Sequence, residues 1–271
     1  MSPILSFFPL PECSGQSPAS LPYGGGAAPD VDRSDLLNYA ARGYHIERGM
    51  FTSGEMLERT AHYMQINTQG PHPGDFVGVP RRSDSDIAEP LAAYPRLIQM
   101  HEWDALSARW MNEPRLERVV SGLMGQEACV LQTMVYFKPP GSRGQSFHQD
   151  NLYLRTTPVV AAWTALDRCD RDNGAMEMIE GSHLLGLLPC RAADTDTSFT
   201  DSETIFPTYL HKQLVELEAG DVVFFGGLTV HGSMPNVTND RFRRAFIVHY
   251  RGAEQYPIVG PPLPGAKAQA V

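Results

Sequence analysis

Three side chains raise the question of chemistry. His148 and Asp150 stand two residues apart in Phe147-His148-Gln149-Asp150, and a further imidazole, His231, follows in Val230-His231-Gly232. Two imidazoles and one carboxylate are the protein donors of a facial non-haem Fe(II) site, which keeps about three metal positions open. Those positions are what a bidentate cosubstrate and O2 require. Residues i and i+2 of an extended strand project to the same side. The spacing therefore predicts His148 and Asp150 on one strand and His231 on a neighbouring one. A His-x-Asp pair with a distant third histidine also arises by chance in a chain with nine histidines, so the context has to support it. The pair follows a Gly-rich turn, Pro140 to Gly144, and His231 follows Gly220-Asp221-Val222-Val223-Phe224-Phe225, a turn feeding a buried strand.

Twelve residues past His231 lies Arg243, flanked by Arg241 and Arg244. A solvated basic face accounts for two of the three. An inward guanidinium needs a carboxylate partner, and its forked donors suit a dicarboxylate cosubstrate. Among the remaining candidates, His183 in Gly-Ser-His reads as a hydrogen-bonded structural histidine. Trp163 reads equally as core, and Gln132 equally as a polar residue on a sheet face. Tyr136, Tyr153 and Arg155 are placed to shape a substrate mouth. His45, His62, His72, His101, His211 and His249 have no ligand spacing and are assigned to surface or packing.

These residues must be held by a scaffold, and the chain changes texture along its length. Residues 11 to 31 are rich in Gly, Pro, Ser and Ala and predict a flexible arm over 1–33. Ser34 is a candidate cap for a helix through Ala41, and Gly43-Tyr44-His45-Ile46 is a short extended piece. Thr52 and Glu55 form a capping box for a helix to about Met64, with Phe51 and Met56 as its staple. A helical zone covers Ser107 to Leu123, broken near Pro114, and Gly70 to Pro90 is loop. From Val130 onward come short β-branched or aromatic runs: Leu131 to Phe137, Val159 to Leu166, Ala175 to Ile179, Asp221 to Phe225 and Arg244 to Tyr250. Helices over 34–125 followed by such strands over 130–250 predict a mainly β jelly roll with flanking helices, one domain spanning 34–256. The polar segment Arg191 to Glu203 is expected to be a mobile lid loop, and residues 257–271 a frayed tail.

Composition narrows the functional classes. Lys and Arg number 22 against 31 Asp and Glu, a net charge of −9, which argues against general nucleic-acid or anionic-membrane affinity. An anionic ligand must then meet local positive charge. The apolar start lacks a basic n-region and is broken by Pro3 and Pro9, so it does not read as a signal peptide. No stretch reaches the roughly 18 to 20 apolar residues of a membrane span. Cys13, Cys129, Cys169 and Cys190 are scattered, which reads most simply as reduced thiols in a cytoplasm. The partner expected is a small-molecule substrate.

The chain resembles the phytanoyl-CoA dioxygenase-like family of Fe(II)/2-oxoglutarate oxygenases. The matching text is Gln132-Thr133-Met134, Lys138-Pro139-Pro140, His148-Gln149-Asp150, Ala162-Trp163-Thr164, Asp172-Asn173-Gly174-Ala175, Gly181-Ser182-His183, Gly220-Asp221 with Phe224-Phe225, and His231-Gly232-Ser233 through Asn236 to Phe242-Arg243-Arg244-Ala245. These blocks run in family order over Gln132 to Tyr250. The resemblance implies a double-stranded β-helix with Fe(II) on His148, Asp150 and His231. It implies 2-oxoglutarate paired with Arg243 in a pocket lined by Ser233, Trp163 and Met134. Gln132 is a separate candidate for touching cosubstrate or substrate. The resemblance further implies O2 as cosubstrate, hydroxylation or another oxidation of an unactivated C–H, and release of succinate and CO2. The sequence carries no fatty-acyl or CoA signature, and a small molecule of secondary metabolism is the substrate expected. The interval from His231 to Arg243 is one residue longer than the family's commonest spacing, which makes Arg241 a rival. A metal or 2-oxoglutarate sensor without turnover, and a cupin-type hydrolase or isomerase, stay open as alternatives.

Overall fold

The computed structural model describes residues 31–83 and 89–258. The arm over 1–33 and the tail over 257–271 therefore lie almost wholly outside the described residues. The first helix, α1 (Arg33–Arg42), is capped by Asp32, which forms a reciprocal box with Asp35. Asp32 displaces Ser34 from that role because its carboxylate has an acidic partner three residues on. Gly43, at φ 88°, stops the helix, and β1 (Tyr44–Glu47) follows. The box of Thr52 and Glu55 starts α2 (Ser53–Gln69) as predicted. This helix runs five residues past Met64. No Gly or Pro interrupts before Gly70-Pro71, and Ile66 extends the buried face of Met56, Arg59 and Tyr63.

After β2 (Leu97–Ile98), the second helical zone is two helices, α3 (Ala105–Met111) and α4 (Pro114–Met124). Pro114 lacks an amide donor and so can only begin a helix here. The strands that follow are β3 (Ala128–Tyr136), β4 (Gln145–His148), β5 (Thr156–Ala165) with the short α5 (Asn151–Leu154) before it, and β6 (Met176–Ile179). Next come β7 (Cys190–Ala192), β8 (Ser202–Thr204), β9 (Lys212–Val215), β10 (Val222–Gly226), β11 (His231–Ser233) and β12 (Ala245–Pro257). The last strand continues seven residues beyond Tyr250, pairing Tyr256 with Thr157.

Two antiparallel sheets form a double-stranded β-helix, with strand orders β1-β10-β5-β12-β3-β2 and β4-β11-β6-β9. Alternation assigns each side chain of β12 to one of two cores. Phe246, Val248 and Tyr250 pack with Tyr63, Trp110, Leu116 and Val120 under the helices. Ala245 and Ile247 face the four-stranded sheet among Met134, Trp163, Phe225 and Met178. Since both faces of the large sheet are covered, β5 and β10 read as continuous apolar runs.

The segment Arg191 to Glu203 differs from expectation. Its ends are the paired strands β7 and β8, and its tip is tied to the turn before β4. Arg143 Nη1 donates to Thr195 O at 2.6 Å and Ser198 O at 2.9 Å, and Gly144 exchanges backbone hydrogen bonds with Thr197 and Phe199. Its hydroxyls are used internally, Ser198 Oγ accepting from Ser146 N and Thr200 N. Polarity here satisfies backbone groups and does not signal a free lid. Among the described residues, Cys169 is a buried free thiol and Cys190 a half-buried one. No helix among the described residues is long and apolar enough to cross a membrane.

Candidate metal centre

His148 ends β4 and His231 begins β11, directly opposite each other in the ladder. Asp150 is not on the strand as the two-residue spacing predicts. The chain turns helical there, at φ −59° and ψ −31°, as Asp150 leads into α5. The carboxylate nevertheless returns to the histidines, because a helical turn at the strand's end folds the side chain back. Asp150 Oδ1 lies 3.6 Å from His148 Nε2 and 3.8 Å from His231 Nε2. One donor atom from each of the three residues falls within 4.8 Å of the other two. Neither contact is a hydrogen bond at that length. Bonds of about 2.1 Å to a shared ion would set neighbouring donors about 3 to 3.5 Å apart, so the three are arrayed around a space an ion fits.

The tautomers support this reading. His148 Nδ1 lies 2.9 Å from Ser146 O and His231 Nδ1 lies 3.1 Å from Thr229 O. A carbonyl only accepts, so each Nδ1 carries the proton and each Nε2 presents a lone pair, the arrangement that orients metal-ligating histidines. The Gln145 amide sits 3.1 Å from the His148 Nε2. Burial, with the His231 imidazole, holds His148 down to about 3 against the opposing pull of Asp150, so its ring is neutral at physiological pH. Burial alone would raise the Asp150 carboxyl. His231, the His249 hydrogen bond and His148 outweigh it and bring the group below the usual carboxylate range.

His249 is the residue that sequence reasoning missed. Assigned to packing, it is instead buried with Nε2 3.2 Å from Asp150 Oδ2. Its Nδ1 has no partner, so the Nε2 hydrogen bond is what its polarity is for. In the ladder it stands opposite Gln132 on β3 and Ala161 on β5. His183 behaves as read, with Nε2 3.0 Å from Ala40 O.

The three arginines separate cleanly. Arg241 pairs with Asp170 at 2.6 and 3.1 Å, and Arg244 pairs with Asp167 at 2.7 Å. Arg243 is buried, donates through Nε to Gly174 O at 3.1 Å and has no carboxylate partner among the described residues. Its guanidinium lies 5.1 Å over the Trp163 ring. Beside it is a buried lysine that was read only as family text. Lys138 Nζ donates to Ser233 Oγ at 2.9 Å, and burial together with the Arg243 charge draws its ammonium well below the ordinary range. Met134 and Trp163 pack in the core between the sheets. The structure thus brings Arg243, Lys138, Ser233 and Trp163 together and leaves Arg241 outside.

A family profile described as "Phytanoyl-CoA dioxygenase (PhyH)" matches residues 98–245, more than half of the chain. The chain belongs to the phytanoyl-CoA dioxygenase family. It is 34% identical over 145 residues to "Phytanoyl-CoA dioxygenase 1" of Oryza sativa subsp. japonica, covering 51% of this chain and 50% of that protein. The chain spans about half the length of the curated relatives it matches. Among solved structures, the fold is shared with the non-heme alpha ketoglutarate dependent epimerase SnoN from nogalamycin biosynthesis, at a TM-score of 0.65 and 21% identity over 88% of this chain and 91% of that one. It is shared equally with the carbocyclase SnoK of the same biosynthesis, at 0.66 and 20% identity over 87% and 89%.

Proposed function

We propose that this chain is an Fe(II)/2-oxoglutarate-dependent oxygenase that oxidises an unactivated C–H of a small molecule, with succinate and CO2 as coproducts. The observation that carries the reading is the pairing of two features on one sheet system. One is the facial array of His148, Asp150 and His231. The other is the buried Arg243 guanidinium, with no carboxylate partner among the described residues and with the buried Lys138 beside it, which suits a dicarboxylate. When bound, iron with 2-oxoglutarate and O2 supplies the oxidising power. The chain's own residues do the rest. His148 and His231 offer their Nε2 lone pairs while their Nδ1 protons are held by Ser146 O and Thr229 O. Asp150 stays ionised under the hold of His249. Arg243 and Ser233, the latter braced by Lys138, receive the distal carboxylate, and Trp163 supports the guanidinium from below. Met134 closes that pocket on its apolar side, and Gln132, opposite His249 in the ladder, is the polar residue assigned to touch cosubstrate or substrate.

Hydroxylation is the outcome we assign, within secondary metabolism. SnoN, an epimerase, and SnoK, a carbocyclase, show other outcomes on this fold. The test is reconstitution with Fe(II) under anaerobic conditions, followed by a metabolite screen read by succinate. Replacing His148, Asp150 or His231 by Ala should abolish turnover and most iron binding, while His183→Ala keeps both. Full iron stoichiometry in His231→Ala overturns the assignment.

A further inference from the structure

Gln145 stands three residues before His148, and strict alternation would send its side chain to the outer face of β4 with Phe147. A bulge reverses that. His231 pairs with His148 and Ser233 with Gln145, so three steps along β4 match two along β11. The extra residue re-aims a side chain, as bulges beside active sites do. Since His231 and Ser233 share the inner face of β11, their partners His148 and Gln145 share it too. Phe147 stays outside, its ring 5.1 Å from that of Phe206 and 4.7 Å from Lys212 Nζ.

The backbone is pinned on both sides of Gln145, Gly144 by Thr197 and Phe199, and Ser146 N by Ser198 Oγ at 3.0 Å. Gln145 N itself donates to Ser233 Oγ at 3.3 Å. Only the half-buried side chain is free to turn. Its Nε2 lies 3.1 Å from His148 Nε2, which matches the spacing of neighbouring donors around one ion, about 3 Å for bonds near 2.1 Å set at right angles. The carboxamide thus stands where the ligand next to His148 belongs. Among the described residues nothing hydrogen-bonds its Oε1. A half-turn of the terminal torsion exchanges Nε2 and Oε1 and moves no other heavy atom. An ion on the His148 lone pair leaves the amide N–H without an acceptor there and attracts the carbonyl oxygen, a donor suited to hard divalent ions.

We propose that Gln145 is a fourth, displaceable donor of the metal centre, its Oε1 holding one position of the open face until the cosubstrate takes it. The inference rests on the oxygenase reading above. A chelating cosubstrate and O2 together need every position that the three ligands leave open, so a fourth protein donor has to yield. The displacing ligand is the cosubstrate, because Gln145 is the ladder partner of Ser233. Ser233 Oγ, joined to Lys138 Nζ at 2.9 Å, belongs to the pocket assigned to 2-oxoglutarate. A neutral carbonyl gives way to a carboxylate, which a charged donor at this position resists.

The experiment uses Mn(II) with the wild-type protein, Gln145→Leu and Gln145→Glu. It reads Mn(II) affinity, the 2-oxoglutarate affinity of the loaded protein by calorimetry, and water-proton relaxivity, which scales with the number of exchangeable waters on the ion. Loss of one of four protein donors opens a third water position, so relaxivity should rise about 1.5-fold in Gln145→Leu. Adding 2-oxoglutarate should remove that difference. Mn(II) affinity should fall about fivefold or more in Gln145→Leu while 2-oxoglutarate affinity rises by the same factor, because linkage makes the two effects reciprocal. Gln145→Glu should move both affinities the opposite way, which separates loss of a donor from general damage to the fold. Equal relaxivity in wild type and Gln145→Leu overturns the proposal. So does a 2-oxoglutarate affinity that is unchanged or lower in that variant, the lower value assigning Gln145 to the cosubstrate pocket. A wild-type protein that binds Mn(II) but no 2-oxoglutarate would overturn the oxygenase reading instead, with the Mn(II) affinities and relaxivities still testing the fourth donor.

Discussion

Replacing His249 by Leu should loosen the metal site without touching a ligand. The hydrogen bond from Nε2 to Asp150 Oδ2 is 3.2 Å long, with both side chains nearly buried. A hydrogen bond to a charged group contributes about 1.5 to 3 kcal/mol, and removal of such an outer partner typically costs about 10- to 100-fold in metal affinity. The bond is longer than the roughly 2.7 to 2.9 Å of strong charge-assisted pairs, which places the expected loss at the lower end, about ten- to thirtyfold at about 1.4 kcal/mol per decade. Leu is close in size to His and lies on the apolar inner face beside Ile247, so the barrel should still form. The assay is Fe(II) or Mn(II) affinity by chelator competition, with thermal unfolding measured alongside. His249→Gln, which keeps an amide donor, should recover part of the loss. Val248→Ala is the control: Val248 packs on the opposite face under the helices, so it should lower the unfolding midpoint and leave metal affinity alone. Metal affinity within twofold of wild type in a folded His249→Leu protein would refute the reasoning and mean that Asp150 is held by other contacts.

Two further outcomes follow from the same geometry. Arg243→Leu should raise the 2-oxoglutarate requirement tenfold or more, on the order of 1.5 to 3 kcal/mol for a charge-assisted bond, whereas Arg241→Ala removes only the exposed pair with Asp170 and should shift it less than twofold; kinetics under saturating iron, or calorimetry with Mn(II), ranks the two, and the reverse ranking would move the role to Arg241. Arg143→Gln should free the tip between β7 and β8, since Arg143 holds the carbonyls of Thr195 and Ser198; hydrogen exchange over residues 194–199 should quicken at least tenfold while metal binding persists, and unchanged exchange would mean the Gly144 backbone bonds suffice.

Local signals proved readable where a short stretch decides the outcome. The Thr52 and Glu55 box, the break at Pro114 and the His148 and Asp150 spacing each depend on neighbours within a few residues. Even there, Asp150 reaches the site from a helical turn and not from the strand, so the right residue was found with the wrong local geometry. The tip of the β7 and β8 hairpin was misread because hydroxyls that serve backbone groups look, in sequence, like hydroxyls that serve solvent. Lys138 carries no pattern of its own. Its surroundings come from closure of the sheets, which brings Phe76, Tyr136, Phe199 and Arg243 around one cavity.

His249 is a different case, because the alternation that assigns it was already present. Arg243, Ala245, Ile247 and His249 are successive same-face positions of one extended run, and side chains two apart share a face. Once Arg243 is placed inward, opposite the Asp167-paired Arg244, the same face must carry His249 six residues on, or about 20 Å along the chain at roughly 3.3 Å per residue. One end of that face meets Lys138, whose carbonyl accepts from Arg243 N at 3.1 Å, and the other meets Asp150. The cation for the cosubstrate thus lies two residues before β12, and the donor for the metal-site carboxylate lies within it. A single-residue slip in the pairing of β12 would turn His249 out of the site, and pairing with both β3 and β5 fixes that register.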